Sequence, residues 1–501
     1  MPFAFRPQRR SGLTLVEILI ALTMTLVVLG TMTAAFKVAS EEMREGRALI
    51  ELANRARIVE DHLRTDLGSI TVETRVYDGE VEPHGYFEYV EGPNRDSTFA
   101  ESDSFQGDCD DVLAFTARST DGILYRGRRT RAVIPNGGSV ADLELEPPVV
   151  IESSLAEIVW FTTVNDNDDV GGPGPLQAQG IDGTVPAGAP VTSSADFDDS
   201  IRLHRRVLLI RPDLGRLAIG VSIGQANNII RNNDISVRVV PTNASATRFS
   251  IIANSLEDLA IRANRFAHMS TTFNGTGEGN FPNNLLFGDI QNRVASDDDN
   301  IAMYSGAATP WRVSPPILSD IGAFDLRAYS PTARVGERVA VIVEPSDVGY
   351  ARVPLDLSAP GSGAYVDLGY GFTLNLPIPI PAPTPDQLDE EWFIANSAAP
   401  NNAVAWSTGV NVWDTWTPAY ESDGIDQDSF NGVDQSTNGT QDLISENPDD
   451  PGSNVIDDPG ERETQPPYVE PIRGMKITLR LVEKGTKQVH QVSVIHSSVP
   501  E

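Results

Sequence analysis

The stretch "RRSGLTLVEILIALTMTLVVLG", residues 9–30, sets one glutamate, Glu17, inside an apolar run that starts just after Gly12. Residues 13–36 are apolar or small apart from Glu17. That length is enough for one membrane-spanning helix. Residues 1–12 hold Arg6, Arg9 and Arg10 and no acid, a basic flank that stays cytoplasmic and sends the bulk of the chain outward. A secretory signal has a shorter apolar core with its small-residue cleavage site behind it. Here the small residue precedes the core, so a cut after Gly12 leaves the helix on the mature chain.

The helix is expected to run on past the apolar run. Leu52, Ala56, Val59, Leu63 and Leu67 recur at steps of four, three, four and four, which marks one buried helix face. Glu41, Glu42, Arg44, Arg47, Arg55 and Arg57 suit a solvated face. From Leu13 to Leu67 such a helix is roughly 80 Å long, half in lipid and half packed on a body.

Glu17 is the anomaly. A carboxylate in a bilayer costs several kcal/mol unless paired and marks a functional position. Cleavage after Gly12 makes Leu13 the first residue and gives it an α-amine, four residues from Glu17. Amine and carboxylate can neutralise each other within one helix or between staggered neighbours. The alternative is a plain signal anchor with Glu17 near the cytoplasmic interface, which leaves Gly12 without a role.

Gly12, Leu13, Thr14, Leu15, Val16 and Glu17, behind a basic leader, resemble position by position the class III leader of type IV prepilins and type II secretion pseudopilins. Leu13 stands where phenylalanine is commonest. The resemblance implies that a membrane prepilin peptidase cuts between Gly12 and Leu13 and methylates the new amine, and that Glu17 guides docking into a growing filament.

The chain has 501 residues and a formal net charge of −32, which repels nucleic acid, so no nucleic-acid partner is expected. Its lone cysteine, Cys109, rules out an intrachain disulfide. It lies in the acidic stretch "GDCDDV" and is read as a structural thiol. The sequence has no HExxH, GxSxG, P-loop or CxxC constellation. "GTGEGN" (275–280) lacks a strand–turn–helix context and reads as a turn. The expectation is a structural protein, not an enzyme.

Past residue 70 short apolar runs read as strands: 111–118, 154–164, 202–212, 321–331 and 337–345. In "MKITLRLV" (475–482), Met475, Ile477, Leu479 and Leu481 alternate with Lys476, Thr478 and Arg480. With "QVHQVSVI" (488–495) it predicts a C-terminal hairpin. His204 is read as a strand residue, and 255–269 as either a helix or a strand and loop. "LNLPIPIPAPTPDQ" (374–387) is an extended loop.

Asp111–Phe115, Glu157–Trp160, Leu203–Arg205, Phe324–Arg327, Trp413–Trp416 and Pro471–Leu481 resemble, thinly and in order, the J-type pseudopilin and the W-type minor pilin. The chain is about twice the length usual for that family. The implied architecture is α+β: leader 1–12, transmembrane helix 13–36, amphipathic continuation 37–70, and a β-rich pilin-like periplasmic head, 71–501. Insertions are expected at about 165–200, 213–310 and 346–470. Implied partners are the prepilin peptidase, other pilins or pseudopilins, the inner-membrane assembly platform and a secreted substrate. The implied location is the bacterial inner membrane, single pass. The residues do not separate a pseudopilin from a type IV pilus minor pilin, and a membrane-anchored extracellular binding protein or enzyme is the remaining alternative.

No cofactor is required by this reading. Residues 421–470 hold fourteen Asp or Glu and one base, Arg462. Within them Asp423, Asp426, Asp428, Asn431, Asp434 and Asp442 lie among glycines and form a candidate calcium loop, because calcium takes six to eight hard oxygens from a turn-rich segment. The spacing is one residue too long for an EF-hand. A solvated acidic loop is the competing reading. "VNDNDDVGG" (164–172) and "SDDDN" (296–300) are shorter versions of the same composition.

Overall fold

The computed structural model describes residues 14–74, 85–90, 107–109, 111–120, 122–165, 200–242, 247–261, 264–266, 316–338, 341–344, 347, 356–368, 412–415, 471–483 and 488–498. Helix α1, Leu15–Leu67, is continuous over 53 residues. The periodic residues are the buried ones: Leu52, Ala56, Val59, Leu63 and Leu67 are all within 2 % of full burial. Before Ala48 every described residue of the helix is exposed.

The remainder is strand-rich. Strands β1 (Phe87–Val90), β2 (Val112–Arg118), β7 (Leu155–Asn165), β8 (Ser200–Leu209), β12 (Leu318–Ser319) and β16 (Val412–Asp414) form one sheet in the order β12-β8-β7-β2-β1-β16. A second sheet runs β14-β13-β17-β18, from β13 (Ile321–Arg338), β14 (Val341–Val343), β17 (Gly474–Glu483) and β18 (Gln488–Ser497); β15 (Asp356–Val366) also pairs with β13. The predicted C-terminal hairpin is present, with ten antiparallel residue pairs from Gly474–Ser497 to Glu483–Gln488.

The two sheets and the second half of α1 close one core. Leu52, Val59 and Leu63 join Phe115, Ile158 and Trp160 of the first sheet and Phe324, Ile477 and Leu479 of the second. The alternation of β17 explains its place: Met475, Ile477, Leu479 and Leu481 enter this core. On its other face Arg480 Nε donates to Gln491 Oε1 (3.0 Å). The Tyr89 hydroxyl of the first sheet donates to the Leu326 carbonyl of the second. His204 is a strand residue, buried and stacked on Phe161 at 5.1 Å.

A smaller lobe has its own core. It contains the ribbons β3–β6 (Tyr125–Arg129, Val149–Ser153) and β4–β5 (Ala132–Val133, Glu144–Leu145). It also contains the sheet β10-β11-β9 (β9 Arg216–Val221, β10 Val237–Pro241, β11 Phe249–Ala253) and helix α2, Ile223–Arg231. Val221, Ile229, Ile235, Phe249 and Ile251 form the centre, with Leu143, Leu145 and Ile151 packed against it. The described residues of 213–266, within the span expected to hold an insertion, are therefore mostly folded. Over 255–261 the chain makes turns and one 3-10 turn (Asp258–Ala260), in place of the alternative of a helix. Gly127 lets β3 approach the lobe: a Cβ there would meet the Asp234 Cβ at 2.8 Å.

Candidate functional site

The helix start is built by Thr14. It is extended (φ −75°, ψ 148°) and caps the helix with its side chain. Glu17 N donates to Thr14 Oγ1 (3.3 Å), while Thr14 N and Thr14 Oγ1 both donate to Glu17 Oε2 at 2.9 Å. This reciprocal arrangement satisfies donors that a helix start leaves unpaired. Glu17 Oε1 takes no hydrogen bond among the described residues. The Thr-x-x-Glu spacing that announces such a cap is legible in the sequence, where Thr14 is also a position of the leader motif. Gly12 and Leu13 lie outside the described residues.

Beyond the cap, α1 presents apolar side chains outward all round. Leu15 is 77 % exposed, Leu29 60 % and Phe36 70 %. Thr23, Thr25, Thr31 and Thr33 each donate their hydroxyls to backbone carbonyls three or four residues back, at 2.7–3.1 Å. The polar atoms of this stretch are thus satisfied internally, as a lipid environment demands. Among the described residues this helix is long and apolar enough to cross a membrane.

Phe36, Met43 and Ile50, spaced by seven, remain exposed beyond that stretch. Ile50 lies about 160° around the helix from Leu52. The helix therefore carries two apolar faces, one buried in the head and one open.

The far end of α1 is fixed to the head by charge. Asp66, 1 % exposed, accepts from Arg205 Nε and Nη2 (both 2.7 Å) and from Trp160 Nε1 (2.9 Å). A carboxylate in the last turn of a helix is disfavoured by the macrodipole, and the two-pronged guanidinium offsets this. Arg55 adds a bond from Nη2 to the Ser319 carbonyl (2.5 Å). Neither contact was anticipated, because Asp66 and Arg205 are far apart in sequence.

The segments that carried the resemblance fall into the two sheets. Asp111–Phe115, Glu157–Trp160, Leu203–Arg205 and Trp413 lie in or beside the first, and Phe324–Arg327 and Met475–Leu481 in the second. Asp111 joins them by accepting from Leu326 N (2.6 Å). Trp416 lies outside the described residues.

Glu157 is the second buried hub. Oε1 accepts from the Tyr86 hydroxyl (2.8 Å) and Phe266 N (2.7 Å), and Oε2 bonds the Ser236 hydroxyl (2.6 Å). Burial raises its pKa despite these bonds and the nearby Arg265. Burial and then Glu157 push the Tyr86 hydroxyl up. Arg265, fully buried, pairs with Glu88 (3.1 Å) and Asp414 (2.8 Å) and covers the Tyr86 ring at 4.1 Å. The cluster ties segment 264–266 to the first sheet and reads as a structural clamp.

The candidate calcium ligands Asp423, Asp426, Asp428, Asn431, Asp434 and Asp442 lie outside the described residues, as do 296–300 and most of 164–172. Among the described residues no group of three His, Cys, Asp or Glu is arranged to hold a metal. Cys109 is buried.

Comparison with protein-family models, curated proteins and solved structures returns no significant match.

Proposed function

We propose that this chain is a structural assembly subunit: a minor pseudopilin of a type II secretion system, at or near the tip of the pseudopilus, matured by prepilin peptidase after Gly12. The observation that carries the reading is the helix start. A Gly-Leu-Thr-Leu-Val-Glu sequence leads into one unbroken helix whose first half exposes its apolar side chains and whose last four turns pack into the head. Glu17 bonds its own cap through Oε2, and its second oxygen is the proposed acceptor for the α-amine of a neighbouring subunit. The open stripe of Phe36, Met43 and Ile50 would pack against that neighbour's helix. The assembly would dock on the inner-membrane platform, with the head periplasmic. A head this large is awkward as a repeating subunit, which favours the tip, where it would contact secreted substrate.

Mass spectrometry of the chain from membranes with active prepilin peptidase is the test. The expected N-terminus is methylated Leu13. An intact Met1 under those conditions overturns the proposal. If Leu13 is methylated but the subunit co-purifies with a surface pilus and its loss leaves secretion normal, the type IV pilus alternative replaces the pseudopilus.

A further inference from the structure

The charge of this chain is divided unevenly. Residues 122–153 and 200–266, which build the lobe and strand β8 beneath it, hold fourteen arginines and no lysine against eight carboxylates. They balance at +6 within a chain of −32, and Asp66, Glu88 and Asp414 from outside them, paired with Arg205 and Arg265, leave an excess of +3. Apolar exposure follows the same division. Of the eleven exposed large apolar side chains outside α1 among the described residues, eight lie in these segments, including Ile123 (78 %), Val150 (73 %) and Val149 (53 %). Arginine among exposed apolar side chains, with lysine missing, is the composition of an interface and not of a solvated face.

The two features meet on the β3–β6 ribbon. Arg128 pairs across the ribbon with Val150, and Arg129 with Val149. Arg126 leads outward, 75 % exposed, beside its partner Glu152 at 2.8 Å. At the ribbon's side Arg211 bonds both the Glu152 carbonyl (2.7 Å) and Asp213 (2.6 Å). Asp213 is held below the usual carboxylate range by Arg211 first, and Arg129 adds to the effect. Arg129 is therefore close to the 212–214 turn, and Arg216 follows that turn at the start of β9. Neither the Arg129 nor the Arg216 guanidinium makes a hydrogen bond or ion pair among the described residues.

We propose that the β3–β6 ribbon and the adjoining 211–216 turn form a docking surface for a short carboxylate-rich segment of a partner protein. Guanidinium forks take carboxylates through paired bonds, and Val149 and Val150 supply apolar ground beside them. Extent favours a short segment over a long polyanion or an anionic bilayer. The lobe's positive field is screened within ~8–10 Å, so a long anionic body would gain little beyond the ribbon and the turn. This surface is independent of the assembly role assigned to α1.

The test uses the full-length chain in neutral-lipid nanodiscs and a fluorescein-labelled oligoglutamate peptide, read by anisotropy, with inorganic polyphosphate as competitor. Binding that weakens with salt is expected. The double variant R129E/R216E should lose at least about tenfold in affinity, since each reversal replaces an attraction by a repulsion. R44E/R47E on α1 should bind as wild type. R129Q/R216Q, with an unchanged thermal midpoint, separates lost binding from lost folding and should also weaken the complex. Absence of binding overturns the proposal, as does equal loss in the α1 variant. Polyphosphate bound more tightly than oligoglutamate, and through the same arginines, reassigns the surface to phosphate and overturns it too.

Discussion

The Asp66 carboxylate receives the Arg205 guanidinium through two 2.7 Å bonds, at the end of α1 and deep against the first sheet. Asp66 is almost fully buried and Arg205 retains 19 % side-chain exposure. Removing the acid strands the base and the Trp160 indole N–H together. Asp66→Ala is expected to cost about 3–5 kcal/mol, with Asp66→Asn milder because the amide oxygen still accepts. Urea denaturation of the full-length chain in detergent measures both.

The two apolar faces of α1 should respond differently to truncation. Leu63→Ala removes a side chain 1 % exposed and should destabilise the chain by about 2–5 kcal/mol. Ile50→Ala, at 65 % exposure, should leave the unfolding midpoint unchanged and weaken helix–helix cross-linking between subunits. A stability loss at Ile50 equal to that at Leu63 would show the open face to be covered by the head.

Glu157 predicts a pH dependence. Its folded pKa is raised by burial above the ordinary 4.5. The folded state therefore binds the proton more tightly, and stability from this group is fully present below about pH 4.5 and lost as pH rises through the raised value. Glu157→Gln keeps the shape, accepts from Tyr86 and Phe266 N, and can donate to Ser236. It should flatten this part of the pH profile and match or exceed wild type at pH 7. Glu157→Ala leaves those three partners unpaired and should be worse at every pH. Urea midpoints from pH 4 to 8 distinguish the three proteins.

Gly85 occupies φ +114°, and a Cβ there would sit 2.1 Å from Thr116 Oγ1 and 2.7 Å from Thr71 Oγ1. Gly85→Ala combines a disfavoured backbone with a collision at the entry to β1. A loss of about 1–3 kcal/mol is expected, read as a lowered thermal midpoint with α1 helicity unchanged in circular dichroism.

The proposed role of Glu17 predicts a separation of steps. Glu17→Gln should insert and be cut after Gly12 as wild type, yet fail to co-purify with other subunits. Thr14→Ala, which removes the side-chain half of the cap, should fray the helix start by about 1 kcal/mol. Blue-native electrophoresis of membranes measures subunit association. Normal assembly of the Glu17→Gln variant would remove the carboxylate from the mechanism.

The helix was legible because its periodicity records its neighbours directly: steps of three and four name the residues that face the core. The central strands β2, β7, β8 and β17 were legible for the same reason, as apolar runs bounded by polar loops. The lobe was not, since its centre, within 221–253, is completed by short ribbons from 132–151 that pack against it. Asp66, Glu157 and Arg265 look like surface residues in the sequence. Their burial depends on partners 71 to 177 positions away, which no local pattern encodes. The Thr14–Glu17 cap is the reverse case, a local signal fully present in the sequence and overshadowed by the leader around it.

From Phe36 to Leu52 helix α1 runs about 24 Å without burial, then grips the hairpin β17–β18. A pull on the amino-terminal end would travel along this rod and reach the head through its last four turns. Because α1 packs on both strands of the hairpin, that load would enter β17 and β18 first, and their ten antiparallel pairs would share it.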